Sequence, residues 1–273
     1  MVYKPIFMEI EGVLLKMVSE YNSPINYQIA FANNTHFFLN EAIGKTISIN
    51  FTGDIFCLAC SKKIMKSYGQ GYCYPCFISV PETEECVLRP ELCRAHEGIA
   101  RNMEWAENHC LQEHVVYLAE TSIVKVGVTR GSQVPTRWID QGAARVVELA
   151  RTPNRYEAGR MEVFLKNHLS DKTNWRDMLT NKPAPADLLE TTRANVIPLL
   201  PEDMRKMVVE SAAILSFQYP VNQYPEKVVS LTLEKQPIIE GKLIGIRGQY
   251  LLFEGGKVLN IRTHSGYFVK LAW

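Results

Sequence analysis

Long hydrophobic runs are missing from this chain. No window of its 273 residues approaches the roughly 18 continuous apolar residues of a membrane-spanning helix. The first twelve residues, MVYKPIFMEIEG, also lack the apolar stretch followed by small residues that marks a signal peptide. These absences argue against a membrane protein and predict a cytoplasmic one. The apolar fraction of 47% predicts a globular protein with a real core.

Net charge is nearly absent as well, at +1, but it is unevenly distributed. Residues 125–176 contain ten Lys or Arg against five Asp or Glu, whereas residues 82–107 contain three against seven. A locally basic stretch favours a phosphate-rich partner, DNA or RNA. Exposed basic residues on ordinary helices would give the same count. The sequence does not indicate an oligomeric state.

Four of the seven cysteines form two C-x-x-C pairs separated by twelve residues. Each pair can form a tight turn that points two thiolates at one ion, and four thiolates complete a closed tetrahedral zinc site. A site without an open position predicts a structural Zn²⁺ and no catalysis, and redox chemistry is the alternative. The predicted ligands are Cys57, Cys60, Cys73 and Cys76.

The other three cysteines, with a histidine, offer a second set of zinc ligands, although their spacing matches no compact pattern. His109 competes with His96 for the nitrogen position. Alternatively, these are buried thiols that pack as small apolar groups. The sequence thus predicts one or two structural Zn²⁺ ions, the second on Cys86, Cys93, His96 and Cys110.

A candidate chemical site lies between His114 and Arg176. The segments VVYLA and IVKVGV predict two strands joined by a hairpin through residues 120–122. Because side chains alternate along a strand, Tyr117 and Lys125 are expected on one face of this hairpin. Gly127 leaves room there for a ligand or another backbone segment.

Two helices are expected after the hairpin. Pro135 is a typical first helical residue and Gly142 a typical stop, which places Arg137 in the first turn, where it can hold an anion. The second helix is expected over residues 155–169, with Glu162 in the middle of its apolar stripe. A carboxylate there needs a cation, a metal or a proton. A structural salt bridge is the alternative.

These residues resemble the GIY-YIG nuclease domain over about 65 positions. The matching residues are Tyr117, Gly127, Arg137, Glu162 and Asn174. The resemblance implies a proton-transfer role for Tyr117 and a phosphate contact for Arg137. It implies a divalent cation, Mg²⁺ or Mn²⁺, on Glu162, and gives Asn174 the family's late polar position. The chain departs from the family at Lys125, which stands where the second motif has Tyr, and the first motif lacks its Gly.

The chain as a whole resembles a bacterial family of uncharacterised proteins. The segments that carry this resemblance are the cysteine pairs, KVGVTR with TRWIDQGA, DKTNWR and GIRGQYLLFEGGKVLNIRTHSGY. This second resemblance implies a recurring architecture and no function.

The flanking segments predict strands. Residues 8–56 and the segment from Val228 onward are rich in β-branched and aromatic residues and are expected to close into a small OB-like barrel. A packing helix is expected from Pro201. Basic side chains among the C-terminal aromatics suit stacking on bases. The predicted nucleic-acid contacts are Arg130, Arg137, Arg247 and Arg262.

Together these features predict an α+β protein in which a split barrel flanks a zinc-ribbon insert and a GIY-YIG-like small sheet with helices. The leading function is a nucleic-acid-directed, metal-dependent endonuclease. The alternatives are an inactive zinc-stabilised module that binds DNA or RNA, and a binder of a small phosphorylated ligand. The expected segments are a β part (1–56), a zinc insert (57–112), the nuclease-like domain (113–182), a linker and helix (183–226) and a second β part (227–273).

Overall fold

The computed structural model describes residues 8–169 and 174–273. These residues form a mixed α+β fold with several sheets, as predicted. The strands are β1 (Glu9–Val13), β2 (Val18–Glu20), β3 (Asn26–Ala30), β4 (His36–Phe38), β5 (Thr46–Phe56), β6 (Lys63–Ile64), β7 (His114–Glu120), β8 (Val124–Arg130), β9 (Arg145–Thr152), β10 (Ile214–Ser216), β11 (Val229–Leu231), β12 (Ile238–Arg247), β13 (Tyr250–Phe253), β14 (Lys257–Asn260) and β15 (Tyr267–Ala272). The α-helices are α1 (Tyr74–Ser79), α2 (Met103–His109), α3 (Thr136–Asp140), α4 (Arg155–Lys166), α5 (Trp175–Leu179), α6 (Leu188–Val196) and α7 (Glu202–Arg205).

The chain divides into two compact units. Unit 1 combines Met1–Phe77 with Gln218–Trp273, and unit 2 is Ile78–Phe217. The boundary after Phe77 falls inside the segment predicted as one zinc insert, so the two cysteine groups lie in different units. The division into five segments stays a prediction.

Unit 1 contains an eight-stranded sheet built from both parts of the chain that were predicted to form a barrel. Its order is β1-β15-β5-β12-β13-β14-β11, and β6 pairs with β5. The central strand β5 buries Ile47 and Ile49 and leaves the intervening Ser48 half-buried, as the period of two requires. A second, three-stranded sheet has the order β2-β3-β4.

The strands described in unit 1 do not close into the predicted barrel. The sheet runs as an open path from β1 to β11, whereas closure requires the two edge strands to pair. Strand β12 changes partner along its length: residues 238–242 pair with β5, and residues 243–247 pair with β13. The β12–β13 pairing contains an irregularity between Leu243 and Gly245. The OB-like assignment is therefore not confirmed.

Unit 2 contains a four-stranded sheet with the order β10-β9-β7-β8. The predicted hairpin is present, with Tyr117 opposite Gly127 and Ala119 opposite Lys125. Directly opposite residues share a face, so Tyr117 and Lys125 lie on the same side of the sheet, as expected. Every residue of β7 is buried. One face packs against α4 and α6 through an apolar cluster that includes Val116, Leu118, Val126, Ala158, Met161, Leu165 and Leu189.

The two helices expected after the hairpin are present, although α3 is short and α4 ends at Lys166. The helix predicted from Pro201 is wrong beyond its first turn. The chain after α7 instead follows the edge of β9, where the Val209 N–H donates to the Leu149 carbonyl at 3.0 Å. The free backbone groups of that strand edge favour an extended partner, and β10 continues the pairing.

No helix in residues 8–169 or 174–273 is both long enough and apolar enough to cross a bilayer.

Candidate functional site

Tyr117 lies at the centre of the hairpin face and is 0% exposed. Its ring occupies the space above Gly127: a Cβ at that glycine would lie 2.6 Å from the Tyr117 hydroxyl oxygen. The hydroxyl donates to Gln141 Oε1 at 3.1 Å, and the charge of Arg137 acts on it. Gly127 is therefore required so that the tyrosine ring can lie across the neighbouring strand.

Lys125 and Glu162 are buried as well, each 9% exposed, and interact electrostatically. The Glu162 carboxylate also interacts with Tyr117, and it forms an ion pair with Lys166 Nζ at 3.5 Å. Arg137 is half-buried and interacts with both Tyr117 and Lys125. Four of the five residues predicted as catalytic thus belong to one polar cluster.

Burial sets the protonation of this cluster. It lowers the pKa of Lys125 from 10.5 to about 8, an effect that the Arg137 charge increases and the Glu162 charge opposes. Burial also raises the pKa of Tyr117 to about 12, against the opposing effect of Arg137. At neutral pH the tyrosine is therefore a protonated hydrogen-bond donor, and the lysine is the group closest to releasing its proton.

Gln141 was not predicted as a site residue. It follows Arg137 by four positions, so both side chains project from one side of α3, where they meet the Tyr117 hydroxyl. That i, i+4 spacing in TRWIDQ was the signal that could have identified it.

Asn174 lies at the start of α5. Its side-chain oxygen accepts from the backbone N–H groups of Arg176 at 3.1 Å and Asp177 at 3.4 Å, which is the geometry of a helix N-cap. This local role accounts for the asparagine, and its catalytic role stays a prediction. The first three residues of the DKTNWR motif lie outside the described residues.

The other predicted nucleic-acid contacts differ in exposure. Arg130 and Arg262 are half-buried, and Arg262 Nε donates to Gln70 at 3.0 Å. Arg247 is 1% exposed, and its guanidinium lies over the rings of Tyr219 and Tyr224, 5.1 and 5.7 Å from their centroids. The prediction of a nucleic-acid contact at Arg247 is therefore wrong, because the side chain belongs to the core of unit 1.

The first cysteine group assembles as predicted. The sulfurs of Cys57, Cys60, Cys73 and Cys76 lie within 4.8 Å of one another, so the group can hold a metal ion such as zinc. The loop between the pairs turns tightly at Gly71, whose φ is +124°. Burial alone would raise the pKa of the Cys57 thiol, but backbone N–H groups, chiefly that of Cys73, lower it to about 6. The turns thus favour the thiolate form that binds metal.

The second group contains Cys86, Cys93 and Cys110, whose sulfurs are buried within 4.8 Å of one another and can also hold a metal ion. Among the residues described, neither predicted histidine belongs to this group. His96 stacks on Tyr156, with ring centroids 4.4 Å apart.

His109, the competing ligand, stacks on Trp105 at 4.0 Å, and its Nδ1 is 2.8 Å from the Trp105 carbonyl oxygen. The structure does not place His96 in the cysteine group, and its assignment as the fourth ligand stays a prediction. Spacing alone could not show that both rings are held by aromatic neighbours.

The family described as "Protein of unknown function (DUF2797)" matches residues 44–269 of the chain. The chain belongs to this family. The match spans most of the chain, including both cysteine groups and the polar cluster of unit 2. No curated protein and no solved structure matches the chain significantly. The DUF2797 assignment carries no function, which has to be inferred from the site.

Proposed function

We propose that the polar cluster of unit 2 cuts phosphodiester bonds in DNA or RNA with the help of a divalent metal ion. The observation that carries this proposal is the assembly of Tyr117, Lys125, Arg137 and Glu162 into one polar cluster, in which Arg137 and Glu162 interact with both Tyr117 and Lys125. In chain order, unit 2 also has two hairpin strands, a helix with Arg, a third strand and a helix with Glu. This order supports the resemblance to the GIY-YIG nuclease domain.

The charge of the cluster favours an anionic ligand. Lys125, Arg137 and Lys166 supply three basic groups around the single carboxylate of Glu162. Burial lowers the pKa of Lys125 most, and repulsion by Arg137 lowers it further; a phosphate group placed between the two side chains would relieve that repulsion. The guanidinium is suited to two phosphoryl oxygens at once.

Each side chain then has a distinct role. Lys125, with a pKa of about 8, takes a proton from the attacking water, in place of the tyrosine of the GIY-YIG second motif. Tyr117 stays protonated, and its single O–H would exchange Gln141 Oε1 for a phosphate oxygen as acceptor. Glu162 would hold Mg²⁺ or Mn²⁺, and the ion would supply positive charge for the leaving oxygen. A lone carboxylate binds Mg²⁺ weakly, so substrate phosphate must complete the coordination.

The four cysteines of unit 1 hold a structural Zn²⁺ in this proposal, because four thiolates leave no position for a substrate. Arg130 and Arg262 are half-buried basic residues that remain candidates for backbone phosphate contacts.

Cleavage of labelled single- and double-stranded DNA and RNA in the presence of Mg²⁺ or Mn²⁺ tests the proposal. Glu162→Gln keeps the size of the side chain and removes its charge, and we expect at least a 100-fold loss of cleavage, as is typical for a catalytic metal ligand. The matched control is Glu157→Gln, which lies on the same helix and pairs with Arg160, and should cut normally. Equal cleavage by the Glu162 variant and the parent protein would refute the nuclease proposal.

A non-catalytic nucleic-acid-binding module is the second candidate, and the complete burial of Tyr117 favours it. For such a module, Glu162→Gln should strengthen binding, because the phosphates of the nucleic acid no longer face the negative charge of the carboxylate. Arg137→Ala weakens binding for both candidates. Metal-dependent cleavage that disappears with Glu162→Gln selects the nuclease, and binding without cleavage selects the module.

A further inference from the structure

The second cysteine group has one coordination position left to fill. Three thiolates of Cys86, Cys93 and Cys110 occupy three of the four positions of a tetrahedral zinc ion. The group is fully enclosed, since each of the three cysteines is at most 5% exposed. A closed structural site needs a fourth ligand from the protein, because the fourth position would otherwise stay open, as it does in catalytic zinc sites.

His114, the first residue of β7, has an unused ring nitrogen. The residue is 2% exposed, and its Nδ1 lies 2.7 Å from the carbonyl oxygen of Gln112. A carbonyl can only accept, so Nδ1 carries the proton and Nε2 carries the lone pair. Nε2 is buried and has no hydrogen-bond partner among the residues that the structure describes. A buried acceptor without a partner is costly, and a metal ion would satisfy it.

The position of His114 in the chain fits a metal ligand. It follows Cys110 by four residues, in the sequence CLQEH, a spacing that allows both side chains to reach one ion. The bond from Nδ1–H to a backbone carbonyl is the usual second interaction of a histidine whose Nε2 binds metal. His96 and His109 have neither a buried, unpartnered nitrogen nor this spacing from a cysteine of the group.

The cysteines and His114 share a neighbour, Arg155. Arg155 donates to the carbonyl oxygens of Cys86 at 3.1 Å and His109 at 3.0 Å, and its own backbone N–H donates to that of Cys110 at 2.8 Å. The same arginine interacts electrostatically with His114, as does Cys93. The three sulfurs lie within 4.8 Å of one another, but no ring nitrogen of His114 lies within 4.8 Å of all three. The imidazole must therefore move towards the sulfurs when a metal binds.

We propose that Cys86, Cys93, Cys110 and His114 form a closed zinc site, with Nε2 of His114 as the fourth ligand. This inference is independent of the proposed nuclease function. The ion would join the 3₁₀-rich segment 81–97 to strand β7, three residues before Tyr117. It would therefore hold the strand that carries the central residue of the polar cluster.

Metal analysis of the full chain tests this site most directly in a Cys60→Ser background, which removes the first zinc site. We expect one zinc ion per chain in that background and at least a 100-fold weaker affinity, measured by chelator competition, when His114→Ala is added. His114→Cys should retain zinc, because a fourth thiolate completes the tetrahedron. The matched controls His96→Ala and His109→Ala should retain it with unchanged affinity. Unchanged affinity in the His114→Ala protein would overturn the proposal.

X-ray absorption spectroscopy of the unsubstituted protein covers the case in which the alanine variant does not fold. Two zinc ions with seven sulfur ligands and one imidazole nitrogen are expected. The imidazole signal should vanish in His114→Cys and persist in His96→Ala and His109→Ala. A spectrum without an imidazole contribution, or one whose imidazole disappears with either control, would overturn the assignment.

Discussion

Replacing Lys125 with methionine should stabilise the protein at neutral pH. The folded state lowers the pKa of this amine from 10.5 to about 8, chiefly because the side chain is buried. One pKa unit corresponds to about 1.4 kcal/mol, so a charged Lys125 costs the fold up to about 3 kcal/mol below pH 8. Methionine has a similar length and no charge, and we expect Lys125→Met to gain about 2 kcal/mol at pH 7.

The pH dependence gives the reasoning a second, sharper test. Because the folded pKa is depressed, the unfolded chain binds more protons between pH 8 and 10.5, and the stability of the parent protein rises with pH in that window. The advantage of Lys125→Met should therefore shrink by about 2 kcal/mol between pH 7 and pH 9.5.

Urea unfolding at both pH values, followed by circular dichroism with zinc present, measures the two free energies. Lys206→Met is the matched control, since Lys206 is exposed and forms its ion pair one turn away, with Glu202. It should change stability by no more than about 0.5 kcal/mol at either pH. The argument would be refuted if Lys125→Met were less stable than the parent at pH 7. It would also be refuted if the difference in unfolding free energy between the two proteins did not narrow from pH 7 to pH 9.5. Such a gain in stability would accompany loss of cleavage if Lys125 is the proton acceptor.

Three further substitutions test the packing at two glycines of unit 2 and the metal ligands of the first cysteine group. Gly127→Ala places a Cβ 2.6 Å from the Tyr117 hydroxyl oxygen, so urea unfolding should show a loss of about 1–3 kcal/mol; an unchanged free energy would mean that the ring does not need this space. Gly159→Ala would gain about 1 kcal/mol from helix propensity alone, but its Cβ would lie 2.2 Å from the Glu91 backbone nitrogen. Net destabilisation is therefore expected in the same assay, and a more stable variant would contradict it. Cys60→Ser should lower the bound zinc, measured by mass spectrometry, by one ion per chain while amide exchange in β7 stays unchanged; full zinc content would exclude this ligand.

The sequence predicted the parts of the fold that depend on short-range patterns. Alternation along VVYLA and IVKVGV was enough to place Tyr117 and Lys125 on one face, because the register follows from a tight hairpin. The first cysteine group also follows from local spacing. Both features involve residues that are close in the chain, so few alternative arrangements compete with them.

The features that the sequence did not predict depend on partners far away in the chain. Arg247 was expected at the surface, but Tyr219 and Tyr224 cover it in the folded unit. The segment after α7 has a helical apolar stripe, yet it is extended, because its backbone pairs with the free edge of β9. The sequence did not single out His114 as a ligand candidate, because its burial and its unpartnered Nε2 are visible only in the folded chain.

The discontinuous construction of unit 1 imposes an order on its synthesis. Strand β5 is complete about 180 residues before β12 begins and about 210 residues before β15 begins, and these two strands pair with its two edges. At ribosomal rates of about 5–20 residues per second, those edges wait roughly 10–40 s for their partners. The four cysteines of the first group lie within 20 residues immediately after β5 and can bind an ion during that interval. A metal bound early would order one end of a strand that is otherwise exposed to aggregation until the rest of the chain has been made.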